Sequence, residues 1–316
     1  MRCITALAAL VCAGAALAQA YPARPIRFII PFPPGGSNDV VGRMIAQQLG
    51  DRMGQPFVVD NRGGAGGVLG TDLAAKSPPD GYTLLLISSA YAMNVSLYKL
   101  PYDHAKAFAP VAMLGTGPNV LTVTPGLPVH SLQELLALAK QKPGTLYYAS
   151  AGIGSFQHLG SALFVSMAGI DVVHVPFKGG GPAMMDVIAG NTQFQLSSLI
   201  QTTPQLKAGR LRALGVGGQR RSPLLPDVPT IAEAGLPGYE ALNWWGILAP
   251  AGTSAEIVNR INRDVAAVIA SPETKRRFAS EGAEPLAMSP AELGAYIIAE
   301  TAKWAKVIKE AGIRAE

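Results

Sequence analysis

Ile26-Arg27-Phe28-Ile29-Ile30-Pro31-Phe32-Pro33-Pro34-Gly35-Gly36-Ser37-Asn38-Asp39 is the stretch that decides the fold class. The apolar run from Ile26 to Pro31 has the length of a buried strand, and the proline and glycine cluster behind it ends that strand. Val40, Val41, Met44, Ile45 and Leu49 then recur at the spacing of one helix face. The segment reads strand, loop, helix. The order repeats: Phe57 to Val59 is strand-like, Gly63 to Gly67 opens a helix through Leu73 and Ala74, and Thr83 to Ile87 follows the turn Asp80-Gly81. Strands alternating with helices imply a parallel sheet with helices on both faces.

Further along, Val111 to Leu114 and Val120 to Thr124 read as two strands. Ser131 and Glu134 form a capping box before a helix carrying Leu132, Leu135, Leu136 and Ala139. Leu146 to Ala149 enters a second glycine loop, Ala151-Gly152-Ile153-Gly154-Ser155, which opens a helix through Leu159, Leu163 and Met167; Val172 to Val175 is the next strand. Helix Pro182 to Ile188, strand Gln193 to Leu196, helix Thr203 to Lys207 and strand Arg212 to Val216 continue the pattern. A proline and glycine region from Pro223 to Gly238 leads to strand Trp245 to Leu248, and the C-terminal part is mainly helical, with Pro290 opening a helix to Lys309. Trp244 and Trp245 read as core or interdomain packing, because adjacent strand residues point to opposite faces.

The 316 residues are 49% hydrophobic and 15% charged with 35 Gly and 25 Pro, which allows a sizeable core and excludes collagen, coiled coil and disorder. A length near 300 residues favours two domains. Residues 1–20 read as an export signal: Arg2 is its positive end, Ile4 to Leu17 its apolar stretch and Ala18-Gln19-Ala20 its cleavage site before Tyr21. Cleavage there would remove both cysteines, Cys3 and Cys12, so thiol catalysis and Cys-ligated metal are excluded for the remainder. It would also leave 25 basic against 21 acidic residues, a mild positive balance without a nucleic-acid footprint that modestly favours small anions.

The two glycine loops carry the strongest chemical signal. Helix starts leave backbone N–H groups unpaired and carry about half a positive charge, which suits a carboxylate or phosphate. Gly35, Gly36, Ser37 and Asn38 could supply amides and a hydroxyl, as could Gly152, Gly154 and Ser155, with Gln157 and His158 one turn on. The alternative is that the glycines only make turns and that Ser37 or Asp39 only caps a helix. Gly64 to Gly70 is one residue too long for a dinucleotide fingerprint, and neither GxxxxGK nor GxSxG occurs. His104, His130, His158 and His174 show no metal-ligand spacing. No cofactor is expected.

The residues together resemble the Bug-type solute-binding proteins of tripartite tricarboxylate transporters. The likeness is carried by Tyr21-Pro22, Pro31 to Asp39, Asn61-Arg62-Gly63-Gly64-Ala65-Gly66-Gly67, Pro79-Asp80-Gly81-Tyr82-Thr83-Leu84-Leu85, Tyr148 to Gly152 with Gly154-Ser155 and His158, His174 to Gly179, and Asp227-Val228-Pro229-Thr230, over essentially the whole mature chain. The resemblance implies an α/β, two-lobed periplasmic-binding-protein type II fold, each lobe a mixed, mostly parallel sheet flanked by helices. One lobe would comprise 21–117 and 245–316, the other 118–244, with the ligand between them. It implies a periplasmic, monomeric receptor that takes a small dicarboxylate, tricarboxylate or aromatic carboxylate to a membrane permease, without catalysis, metal or nucleic acid. A sensor using the same clamp to signal to a membrane partner, and an exported hydrolase, are the alternatives.

The ligand residues so implied are Pro34, Gly35, Gly36, Ser37, Asn38 and Asp39 in the first loop, Ala151, Gly152, Gly154, Ser155 and His158 in the second, and Ser197. Asp39 is expected to point away from the ligand and hold its loop. Where many relatives carry Asp-Asn, this chain has Ser197-Ser198. Loss of that negative side chain disfavours a ligand with an amino group.

Overall fold

The computed structural model describes residues 21–314; the expected export signal, residues 1–20, lies outside the described residues. The N-terminal elements follow the alternation read from the sequence: β1 (Ile26–Ile30), α1 (Ser37–Met53), β2 (Phe57–Asn61), α2 (Val68–Ala75), β3 (Thr83–Ser88) and the short α3 (Ser89–Met93). Strand β1 pairs in parallel with both β2 and β3. Gly54 ends α1 with φ 71°, a left-handed conformation that costs glycine little and terminates the helix.

Next comes β4 (Phe108–Val123), one strand where the sequence suggests two. Gly115-Thr116-Gly117-Pro118 has the composition of a turn, but its glycines admit close neighbours instead of reversing the chain. A Cβ on Gly115 would lie 2.5 Å from the Glu284 carbonyl oxygen, and one on Gly117 would lie 3.3 Å from Ala283 Cβ. The elements that follow are α4 (Leu132–Gln141), β5 (Tyr147–Ser150), α5 (Phe156–Ala168), β6 (Val173–Pro176), α6 (Gly180–Ala189), β7 (Phe194–Ser198), α7 (Leu199–Lys207) and β8 (Arg212–Val216). The chain then returns through β9 (Leu242–Pro250), α8 (Ala255–Ala270), α9 (Pro272–Ser280), β10 (Glu284–Pro285) and α10 (Pro290–Glu310). The helix expected over Thr203 to Lys207 begins at Leu199, and Pro204 lies inside it, where it removes one i→i−4 backbone hydrogen bond.

The strands run in the order β2-β1-β3-β9-β4-β7-β5-β6, with β8 and β10 also paired to β4. Strand β4 changes partners along its length. Residues 108–118 pair antiparallel with β9, and residues 119–123 pair with β7 and β8. Two lobes result, joined by this shared strand. The first packs Val41, Ile45, Leu49, Ile261 and Val265 on one face of its sheet and Tyr91, Leu293 and Ile297 on the other. The second packs Leu135, Leu159 and Phe164 on one face and Ala183 and Val187 on the other. Trp244 and Trp245 are both fully buried and fall in different clusters, Trp245 with α1 and α8, Trp244 with α10.

Helix α10 belongs to both lobes. Leu293 and Ile297 enter the first lobe's core, whereas Trp304 and Ile308 enter the second's. Midway, Glu300 Oε2 accepts the indole N–H of Trp244 at 3.1 Å and that of Trp304 at 3.2 Å. Removing the carboxylate leaves two buried donors without an acceptor. Glu300→Ala is therefore expected to cost about 2 kcal/mol, read as a lowered unfolding midpoint, and Glu300→Gln, which keeps one acceptor, clearly less. Equal midpoints for wild type and Glu300→Ala would remove this bridge from the account. The cap of α10 has both halves of a capping box, Ser289 with Glu292. At α4 only half of the expected box forms: Ser131 accepts the Glu134 N–H, but Glu134 Oε2 takes the N–H of His130 instead of Ser131.

Candidate ligand cleft

Parallel strands place all their following helices at one edge, and a crevice outside the carboxyl ends of such strands is where open α/β sheets bind ligands. Here β1 ends at α1 in the first lobe, and β5, β6 and β7 end at α5, α6 and α7 in the second. The helix starts read Gly36-Ser37-Asn38-Asp39, Ser155-Phe156-Gln157-His158, Gly179-Gly180-Gly181-Pro182 and Ser198-Leu199-Ile200-Gln201. First-turn amides have no intrahelical acceptor, so each start offers N–H groups and a partial positive charge. None of these sixteen residues is Lys or Arg, and Asp39 is the single acid among them.

Among the contacts between the lobes are two close glycine approaches. Gly36 faces Gly180: a Cβ on Gly36 would lie 3.8 Å from Gly180 N, and one on Gly181 3.4 Å from the Pro34 carbonyl oxygen. Elsewhere a Cβ on Gly66 would lie 2.7 Å from the Ile153 carbonyl oxygen, and Tyr98 donates its hydroxyl to that same oxygen at 2.9 Å. Only residues without side chains let the two backbones approach so closely.

In the first loop the side chains hold the backbone. Asp39 Oδ2 accepts the Gly35 N–H at 3.0 Å, while Oδ1 accepts Arg43 Nε at 2.9 Å and Asn61 Nδ2 at 3.0 Å. Burial alone would raise this carboxyl, but the hydrogen bonds from Arg43, the Gly35 amide and Asn61, with the Arg43 charge, hold it below the usual carboxylate range. Asn38 turns inward: its Oδ1 accepts Trp245 Nε1 at 2.9 Å and its Nδ2 lies 3.4 Å from Ser88 Oγ. The cap of α1 is Gly36, not Ser37 or Asp39, and makes no side-chain cap bond. Asp39 instead reaches back across the turn.

The second loop is held in a different way. Ser155 caps α5 by accepting the His158 N–H, and His158 Nδ1 accepts the Gly154 N–H at 3.3 Å. Ser150 Oγ accepts the Gly152 N–H at 3.1 Å and bonds His174 Nε2 at 2.6 Å. Ala151 is buried between these contacts. Ser197 donates to Gln201 Oε1 at 3.3 Å, and Gln201 Nε2 donates to the Gly180 carbonyl at 2.7 Å. The structure thus brings Gly35 and Gly36 to Gly180 and Gly181, and Gly154, Ser155 and His158 to one another. It does not bring the His158 ring across to the first loop.

Gly180, Gly181, Gln201 and Gly66 are absent from the ligand residues expected from the sequence. For Gly179-Gly180-Gly181 the signal is present: they follow strand Val173–Pro176 and open a helix, the same grammar a third time. Gln201 has no local signal, because its partners lie 4 and 21 residues away on separate elements.

A family model described as the tripartite tricarboxylate transporter family receptor, TctC, matches residues 41–313. BugT of Bordetella pertussis is 41% identical over 300 residues, covering 94% of this chain and 92% of its own. Rpa4515 of R. palustris, solved with adipate, superposes with a TM-score of 0.91 at 40% identity, over 93% of this chain and 99% of that one. MatC of Rhodopseudomonas palustris, solved with malate, has a TM-score of 0.87 at 31% identity, over 91% and 100%. Fold, loops and family model agree, and the chain belongs to the TctC family of tripartite tricarboxylate transporter receptors, the Bug-type solute-binding proteins.

Proposed function

We propose that this chain is an exported receptor that captures a small carboxylate between its lobes and presents it to a membrane permease. The observation that carries the reading is the convergence of four helix starts, drawn from both lobes, that lack Lys and Arg and hold their one acid in a closed hydrogen-bond set. Such a site recognises an anion through main-chain N–H groups. Micromolar affinity needs about −8 kcal/mol, which four or five charge-assisted hydrogen bonds of about 1.5 to 3 kcal/mol each supply after ordering costs. Adipate in Rpa4515 and malate in MatC support a dicarboxylate as the first class to try. Cleavage after Ala20, periplasmic residence and a monomeric state belong to the same reading.

The site residues are the main chain of Pro34 to Asp39 and of Ala151 to Ser155, with His158 and Ser197 behind them. Residues 21–117 and 245–316 are read as one moving body and 118–244 as the other, a division supported by the change of β4 partners after Pro118, with the C-terminal half of α10 packed on the second body. Closure adds the second lobe's contacts and is selected by that differential affinity. At the end of β7, Ser197-Ser198 offers hydroxyls and no charge, so a ligand ammonium has no counter-ion there.

The test is a thermal-shift screen on unfolded and refolded protein against mono-, di-, tri- and aromatic carboxylates and amino acids. A ligand at a hundred times its dissociation constant adds about 2.7 kcal/mol, or roughly 5 °C for a chain of this size. A shift with plain carboxylates and none with aspartate or glutamate is the expected result. Tight binding of the amino acids alone would refute the specificity argument, and no shift with any carboxylate would refute the receptor reading.

A further inference from the structure

Tyr148 and His174 stand outside the carboxylate reading, but with His158 they pack against its second loop. Their rings form one column: His158 on His174 at 4.5 Å between centroids and His174 on Tyr148 at 4.8 Å, each pair 18° from parallel. The column meets the loop twice. His158 Nδ1 accepts the Gly154 N–H, and His174 Nε2 bonds Ser150 Oγ, which accepts the Gly152 N–H. Gly152 and Gly154 have φ of 108° and 76°, a left-handed backbone that depends on such external support.

We propose that this column holds the second glycine loop in its binding conformation, with His158 as a neutral acceptor whose protonation releases Gly154 and weakens ligand binding. The proposal rests on the reading of that loop as half of the carboxylate site. An imidazole that accepts at Nδ1 carries its hydrogen on Nε2. A proton added at Nδ1 would set two donors, N–H against N–H, where one hydrogen bond now stands, and the contact must break. A proton on each ring would also stack two cations.

Burial holds both rings neutral at ordinary pH. It lowers the His158 imidazole to about 4, and burial together with neighbouring His158 lowers that of His174 to about 4. A route for protons exists, because the outer side of the column opens on a cavity of about 410 Å3 between α5 and the C-terminal residues Ala311 to Arg314. The titratable or charged groups lining it are Tyr148, His158, His174 and Arg314. Their ordinary imidazole value is 6.5. The ordered loop therefore binds fewer protons than the released one between pH 6.5 and about 4, so its support is fully present above that window and is lost as pH falls through it.

Two substitutions separate the acceptor from the titration. Asparagine places a carbonyl oxygen near the position of Nδ1 and cannot be protonated, whereas leucine keeps bulk without an acceptor. Affinity for adipate is measured at about pH 7.5 and about pH 5, together with amide hydrogen exchange at Gly152 and Gly154 in the unliganded protein. His158→Asn, which keeps the acceptor but loses the ring stacked on His174, is expected to bind about threefold more weakly than wild type at neutral pH and to lose the extra weakening, about fivefold or more, that wild type shows in acid. His158→Leu should bind about tenfold more weakly at both and exchange faster at Gly154. Comparison of variants cancels the ionisation of adipate itself. The same acid weakening in His158→Asn as in wild type, or unchanged Gly154 exchange in His158→Leu, overturns the proposal. If adipate does not bind at all, the choice of adipate fails, while the exchange rates at Gly152 and Gly154 still decide the column.

Discussion

Gly66→Ala is expected to lower ligand affinity by about a hundredfold while leaving the fold intact, because the added methyl meets atoms of the opposite lobe only when the lobes are closed. Its Cβ would lie 2.7 Å from the Ile153 carbonyl oxygen and 3.1 Å from Gly154. These are backbone atoms, which cannot rotate away. A hundredfold loss corresponds to about 2.7 kcal/mol withdrawn from the closed state. Gly66 also has φ 61°, so alanine costs about 1 kcal/mol wherever the lobes stand. Gly54→Ala separates the two effects: its φ is 71° and nothing lies within 4 Å of its Cβ. Both variants should lose similar stability, and only Gly66→Ala should lose affinity and stay extended in solution scattering with ligand present. Wild-type affinity in Gly66→Ala would show that this contact takes no part in the ligand-bound form.

Asp39→Ala should weaken both the fold and the site. Three donors, the Gly35 amide, Arg43 Nε and Asn61 Nδ2, lose their common acceptor. Asn61 also donates to the Phe32 carbonyl at 2.9 Å, so the loosening spreads along the whole loop. The arginine is about half exposed and solvent will satisfy it, which leaves about 2 kcal/mol of destabilisation and about a tenfold loss of affinity, read by thermal unfolding and titration calorimetry. The sign with pH follows from the depressed carboxyl. Its contribution is fully present above the ordinary value of 3.8 and disappears as pH falls through the lower value of the folded chain. The gap between wild type and Asp39→Ala should therefore close in strong acid. Tighter ligand binding with unchanged stability would mean that Asp39 faces the ligand and repels it.

Much of this architecture is legible without coordinates. The run Ile26 to Ile30 is apolar at every second position or more, Gly35 and Gly36 cannot continue a strand comfortably, and the stripe from Val41 to Leu49 has helical spacing; each is a property of neighbouring residues. Glycine loops before helices are local for the same reason, which is why the loops before α1 and α5 are found from sequence. The reading of β4 as two strands fails because Gly115 and Gly117 answer to Glu284 and Ala283, more than 160 residues away. Composition signals a turn; the incoming neighbours decide a strand.

Local periodicity thus determined the order of strands and helices, the places where helix starts offer free amides, and the chemical bias toward a small anion. Tertiary structure alone decided what the polar side chains around those helix starts bond to. Asn38 is spent on Trp245, His158 on Gly154 and the stacked His174, Asp39 on Asn61, and Gln201 on Gly180. A hydrogen bond is satisfied by whichever partner the fold brings within about 3 Å, and that partner is set by the packing of distant elements, not by the residues on either side.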